Sequence, residues 1–155
     1  LYGQVMTIET PNNTVGTLEF KNNVICTVLT TSESINETNY FVIFGTDGKL
    51  ILNDPNTFGG PVLLQTKLGE AKEVPLTHHF IDNCRGLGAA DLAYAVRNGR
   101  KPRANGDTAL HTLEAALGIV QSGEDGKIYT MTTTTERAEP LLPGYTEYPE
   151  MVLDL

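Results

Sequence analysis

RGLGAADLAYAVRNGRKPRANGDTALHTLEAALGIVQSG, residues 85–123, decides how the rest of this chain is read. Two helix patterns stand back to back there, joined by a short basic linker. In the first, Leu87, Ala90 and Tyr94 recur at i, i+3 and i+7, with Ala89, Ala93 and Val96 beside them. Asn98-Gly99 then supplies a left-handed stop, because glycine takes positive φ without a Cβ clash. In the second, Ala109, Leu110, Leu113, Ala116, Leu117 and Val120 form an apolar stripe with helical period. Asn105 is placed to cap its start, Asp107 favours the positive helix end, and Ser122-Gly123 predicts its close.

Outward from this pair, the chain reads as strands and turns. Residues 14–21 (TVGTLEFK) and 24–31 (VICTVLTT) flank Asn22-Asn23, a tight-turn pair that tolerates the left-handed region, so they predict a hairpin. Residues 40–44 (YFVIF) are apolar on both faces and predict a central strand. A turn at residues 45–48 (GTDG) returns the chain into LILN, residues 50–53. Residues 53–61 (NDPNTFGGP) carry two prolines and two glycines and read as a loop. Short strands are expected near 62–66 and 72–76, and a last one over 127–135 (KIYTMTTTT). Residues 136–155 read as an irregular tail wrapping a surface. Consecutive hairpins mean antiparallel pairing, and strands in a run followed by two helices point to α+β. The expected fold is an open, mainly antiparallel β-sheet with two principal helices packed on one face.

Length and charge bound the function. At 155 residues the chain is one domain's worth, and 40% hydrophobic with 19% charged residues is an ordinary globular composition. A net charge of −8 argues against nucleic acid and against anionic membrane, since both need a positive footprint. No apolar run approaches a bilayer span. Cys26 and Cys84 form no C-x-x-C pair, and three histidines in scattered positions make no metal set. The simplest expectation is a reduced, cytoplasmic setting.

No complete catalytic set stands out. Gly86-x-Gly88-x-x-Asp91 comes near a dinucleotide fingerprint, but its third small residue is an aspartate and no βαβ unit surrounds it. His78 and His79 are the most notable polar pair. Adjacent residues on an extended segment face opposite ways, so at most one of the two faces a given pocket. The plainer reading leaves one solvated and the other satisfied in the fold; the functional one has one of them hydrogen-bond a polar substrate at the sheet–helix edge. Arg85, heading the first helix, suits hydroxyl or carboxylate groups; the plainer reading is a surface or interface ion pair. His111 lies off the apolar stripe and reads as a structural hydrogen bond, and residues 100–103 (RKPR) as a solvated turn.

The order of motifs resembles the C-terminal domain of the glucose–fructose oxidoreductase / inositol 2-dehydrogenase family (Gfo/Idh/MocA). The resemblance is carried by GTLEFKNNV (16–24), FGTDGKLILNDPNTFGGPV (44–62) and residues 82–131, and extends over residues 3–145. Its most specific part is a G-x-x-D-x-A-x-A-x-x-x-G-R helix from Gly88 followed by R-A-x-G-x-x-A-L-H-x-L-E from Arg103. The resemblance implies a two-domain parent whose N-terminal Rossmann domain binds NAD or NADP and carries a catalytic Glu-Lys-Pro. The C-terminal α+β domain then lines the substrate site and packs against a second subunit. Neither Glu-Lys-Pro nor the family's Asp/His catalytic helix has a counterpart here, so no catalytic or cofactor-binding residue is assigned. Residues 1–155 are thus expected to be a single substrate-side and oligomerisation domain, lacking its Rossmann partner. The expected parent acts on a sugar, polyol or similar hydroxy compound, and this chain alone neither binds the nucleotide nor catalyses. The family's substrate contacts often lie in the segment entering the first helix of the pair, which here holds His78, His79 and Arg85. The alternative reading is a non-catalytic homo-oligomerisation or interaction module.

Overall fold

A computed structural model describes residues 7–32, 41–54, 56, 58–77, 80–82 and 84–141. The fold is α+β, with open antiparallel sheets. Strands β1 (Asn13–Glu19) and β2 (Ile25–Thr31) make a two-stranded sheet; β3 (Phe41–Phe44), β4 (Gly48–Leu52), β5 (Val62–Thr66) and β6 (Lys72–Val74) make a four-stranded one in that order. Helices α1 (Leu87–Asn98) and α2 (Gly106–Asp125) follow. The single sheet expected from the run of hairpins is therefore present as two. Two compact units result: Leu1–Asn36 with Gly106–Glu136, and Glu37–Asn105 with Arg137–Leu155.

In the first unit, the β1–β2 turn forms as its asparagines dictate. Asn23 takes φ 65°, its N–H donates to Phe20 O at 2.9 Å, and Phe20 N–H donates to Val24 O at 2.9 Å. The register pairs Val15 with Leu29 and Gly16 with Val28. Strand alternation sends Gly16, Leu18, Cys26 and Val28 to the half-buried face, and Val15, Ile25 and Leu29 to the exposed one. Helix α2 packs on β1 at Gly16, where a Cβ would lie 2.6 Å from Ile119 Cγ2. Only a glycine admits the helix this closely.

The face that α2 turns inward is not its apolar stripe. Thr108, His111, Glu114, Ala115, Gly118, Ile119 and Ser122 are half-buried or buried, whereas Leu110, Leu113 and Leu117 are 56%, 55% and 59% exposed. The inward face is polar and small because residues 127–135 lie against it. That segment is not the expected strand; it joins no sheet among the described residues. Instead its backbone N–H groups find a side chain of α2, as described below. The helix also runs past Ser122-Gly123 and stops at Gly126, which takes φ 62°.

In the second unit, β4 is central and half-buried along its whole length, while β3 is an edge strand. The expectation that residues 40–44 form a central strand is corrected: among the described strands β3 pairs with β4 alone, and Phe41, Ile43 and Phe44 are 50%, 48% and 78% exposed. Helix α1 ends as expected, with Gly99 at φ 66° and its N–H donating to Ala95 O. Its buried residues are Ala95 and, against expectation, Asp91. No helix among the described residues is long and apolar enough to cross a membrane.

Candidate functional site

The loop between β4 and β5 helps to line two open clefts of the second unit. Asp54 Oδ1 accepts the Asn56 N–H at 2.8 Å, an Asx turn that reverses the chain. Asn53 Nδ2 donates to Gly59 O at 3.2 Å and closes the loop across its base. Gly60 at φ 106° lies against Asn53, where a Cβ would come 2.2 Å from Asn53 Nδ2. These ties hold Phe58 at φ 65°, a left-handed conformation costing a bulky residue about 1–2 kcal/mol. The cost is met by what the ring then touches.

Phe58 separates two clefts and, with Val62 and Leu76, walls both. One, of about 300 Å³, is completed by Val74, Phe80, Ile81 and Leu141. The other, of about 310 Å³, is completed by Phe41, Leu52, Asn53 and Asp54. Apolar walls with a few polar groups at one side are the usual make-up of a small-molecule site.

Arg85 braces this arrangement. Its Nη2 donates to Asn56 Oδ1 at 2.9 Å, and its guanidinium carbon lies 5.4 Å from the Phe58 ring centroid, within cation–π reach. In place of the ion pair weighed for Arg85 stand a hydrogen bond to the Asn56 side-chain oxygen and a cation–π contact with Phe58. A planar guanidinium suits both at once, where an ammonium would suit only one. His78 and His79 lie outside the described residues; their described neighbours Thr77 and Phe80 both wall the smaller cleft.

Two polar centres escaped the sequence reading. Asp91 is 4% exposed, and both of its carboxylate oxygens accept hydrogen bonds. Oδ1 accepts from Arg100 Nη2 at 2.7 Å and from Arg103 Nη1 at 2.5 Å, and Oδ2 accepts the Arg103 N–H at 2.7 Å. Burial alone pushes this carboxyl up, but the hydrogen bonds and charge of the two arginines outweigh it and hold the pKa at about 2. The basic linker is thus no solvated turn. Gly99 turns the chain back so that Arg100 and Arg103 return to α1 and neutralise a charge too costly to bury alone. The signal was legible: Asp91 shares the helical face of Leu87, Ala90, Tyr94 and Ala95, where an acid demands partners.

The other centre is Glu114, in the first unit. Its Oε1 accepts from Thr132 N–H and Thr132 Oγ1, both at 2.7 Å, and from Tyr129 OH at 3.3 Å. Its Oε2 accepts from Thr133 N–H at 2.8 Å and from the Thr133 hydroxyl. The Thr133 hydroxyl, then the Thr132 backbone and hydroxyl, draw the Glu114 pKa down to about 2. Burial and the nearby Glu114 charge push the Tyr129 phenol up. With the Thr133 hydroxyl hydrogen directed at Glu114, His111 is assigned its proton on Nδ1, donating to Thr133 Oγ1 at 2.9 Å. The structural role expected of His111 is what the geometry gives it.

Among the described residues no group of three or more His, Cys, Asp or Glu side chains could hold a metal ion. Cys26 and Cys84 are both free thiols. No family model, curated protein or solved structure matches the chain.

Proposed function

We propose that this chain is the C-terminal, substrate-side domain of an NAD(P)-dependent oxidoreductase acting on a sugar, polyol or similar hydroxy compound. The carrying observation is the convergence of a motif run and a cleft. The G-x-x-D-x-A-x-A-x-x-x-G-R pattern that resembles Gfo/Idh/MocA proteins begins three residues after Arg85, which stacks on the ring dividing the two apolar clefts. An aromatic ring with adjoining guanidinium donors suits a ligand having a C–H face and hydroxyl edges. In this reading, hydride passes between the nicotinamide of NAD or NADP and a carbinol carbon held at the cleft. A Rossmann domain outside these 155 residues supplies the nucleotide and the base, in a cytoplasmic setting. This chain alone is not catalytic. Among the described residues, the two carboxyls held well below their usual range, Asp91 and Glu114, are each engaged in bonds that hold the fold.

The test is a nucleotide titration of the 155-residue chain alongside the chain joined to its upstream sequence. The isolated chain should leave NAD and NADP unbound, while the joined protein binds one of them and reduces it with a polyol. Tight nucleotide binding by the isolated chain would overturn the assignment.

A second reading is favoured by a separate observation, the apolar surface left uncovered. Val15, Ile25 and Leu29 on the hairpin are 70%, 67% and 65% exposed, and the Leu110–Leu113–Leu117 stripe lies open as well. Exposed large apolar side chains gathered on one face of an element mark association sites. Self-association through a sheet face, as a homo-oligomer, is compatible with the first reading. Sedimentation at micromolar concentration tests it, and a clean monomer would count against it.

A further inference from the structure

We infer that Arg103 is a positioning residue for the smaller apolar cleft: its guanidinium, anchored on Asp91, grips the Glu139 and Pro140 carbonyls and so seats Leu141 as a wall of that cleft.

Leu141 comes from a part of the chain remote in sequence from the other walls, which run from Phe58 to Ile81. It follows residues 136–140, which form no helix or strand. A segment without a ladder needs other fixed points if it is to present a side chain at a set place. Arg103 supplies two adjacent ones. Its Nε donates to Glu139 O at 3.0 Å and its Nη2 to Pro140 O at 3.2 Å. The carbonyls belong to the two residues immediately before Leu141, so the fork fixes both the position and the direction of the chain entering the cleft.

The guanidinium can serve as a fork because its other edge is held. Nη1 and the Arg103 backbone N–H both reach the Asp91 carboxylate, which is nearly inaccessible to solvent. Arg100 engages Asp91 too, so one carboxylate meets two cations, and the carbonyl dipoles of residues 139 and 140 answer part of the remaining positive charge. Planarity matters here. Three nitrogens of one rigid group address α1 on one side and the strap on the other, which a lysine's single ammonium cannot do. The chain of cause runs from a buried acid on α1, through one arginine, to a cleft wall. It rests on this geometry alone and is independent of the oxidoreductase reading.

The experiment is methyl-labelled NMR on the full chain with Arg103→Lys and Arg103→Ala. The readout is the set of cross-peaks from the Leu141 methyls to the other cleft walls. The Val62–Val74 cross-peak, between paired residues of β5 and β6, reports on the sheet. Both variants should lose the Leu141 cross-peaks and keep the Val62–Val74 one. Persistence of the Leu141 cross-peaks in either variant overturns the inference. So does their loss together with the Val62–Val74 cross-peak in both, since Arg103 would then be a general staple of the fold.

Discussion

Replacing Asp91 by asparagine should destabilise the protein in a manner that disappears at low pH. Asparagine keeps the shape and one acceptor but removes the charge that Arg100 and Arg103 surround. The wild-type carboxyl, moved from its ordinary 3.8 down to about 2, is more stable ionised in the folded protein than in the unfolded chain. The difference corresponds to about 2–3 kcal/mol. A folded pKa below the unfolded one means the contribution is present above pH 3.8 and lost as pH falls through 2. Worked through the two ionisation equilibria, most of it is still present at pH 4, roughly half remains at pH 3 and little is left at pH 2. Urea unfolding of the wild type and Asp91→Asn, repeated between pH 7 and pH 2.5, reads the difference directly. Glu114 titrates in the same acid range, but it is present in both proteins and cancels. The expected result is a gap of about 2–3 kcal/mol at neutral pH that narrows by roughly half near pH 3. A gap that stays constant with pH, or one below about 0.5 kcal/mol at pH 7, refutes the assignment of Asp91 as the charged hub of the second unit.

Three further outcomes follow from the same contacts. Glu114→Gln should release residues 127–135 from α2, seen as faster hydrogen exchange at the Thr132 and Thr133 amides, whose acceptors are the carboxylate oxygens. In the wild type that protection should hold above pH 4.5 and fade as pH drops toward 2, because the folded carboxyl is the stronger acid. Gly118→Ala, which places a Cβ 2.6 Å from Tyr129 Cδ1, should lower stability by about 1–2 kcal/mol, the overpacking outweighing alanine's better helix propensity. Thermal melts of Gly118→Ala with and without Tyr129→Ala check this; the alanine should cost less once the ring is gone. Arg85→Lys should weaken binding of a hydroxylated ligand at the Phe58 clefts by several-fold, since an ammonium loses the combined stack and Asn56 bond. Isothermal titration with a small polyol panel measures it, and unchanged affinity would remove Arg85 from the site.

Local chemistry was legible in the sequence. Period-two apolar runs marked the strands, Asn22-Asn23 marked the first hairpin, and Asn98-Gly99 ended α1 at the residue that takes positive φ. Each depends only on neighbours along the chain, so spacing and turn residues suffice. The acid at Asp91 was equally visible as a charge on an apolar helical face, although its partners lie in what reads as a solvated turn. What the sequence could not settle depends on contacts between remote segments. Residues 127–135 carry strand-forming side chains, yet their amides are answered by Glu114 on a helix instead of by a neighbouring strand. The leucine stripe of α2 has the period of a core-facing surface, yet its polar and small face meets the rest of the first unit. Periodicity says that two faces differ; it does not say which one finds a partner. That choice is made by the hydrogen-bond demand of residues 127–135 and by the close approach that Gly16 and Gly118 permit, and both exist only once the chain has folded.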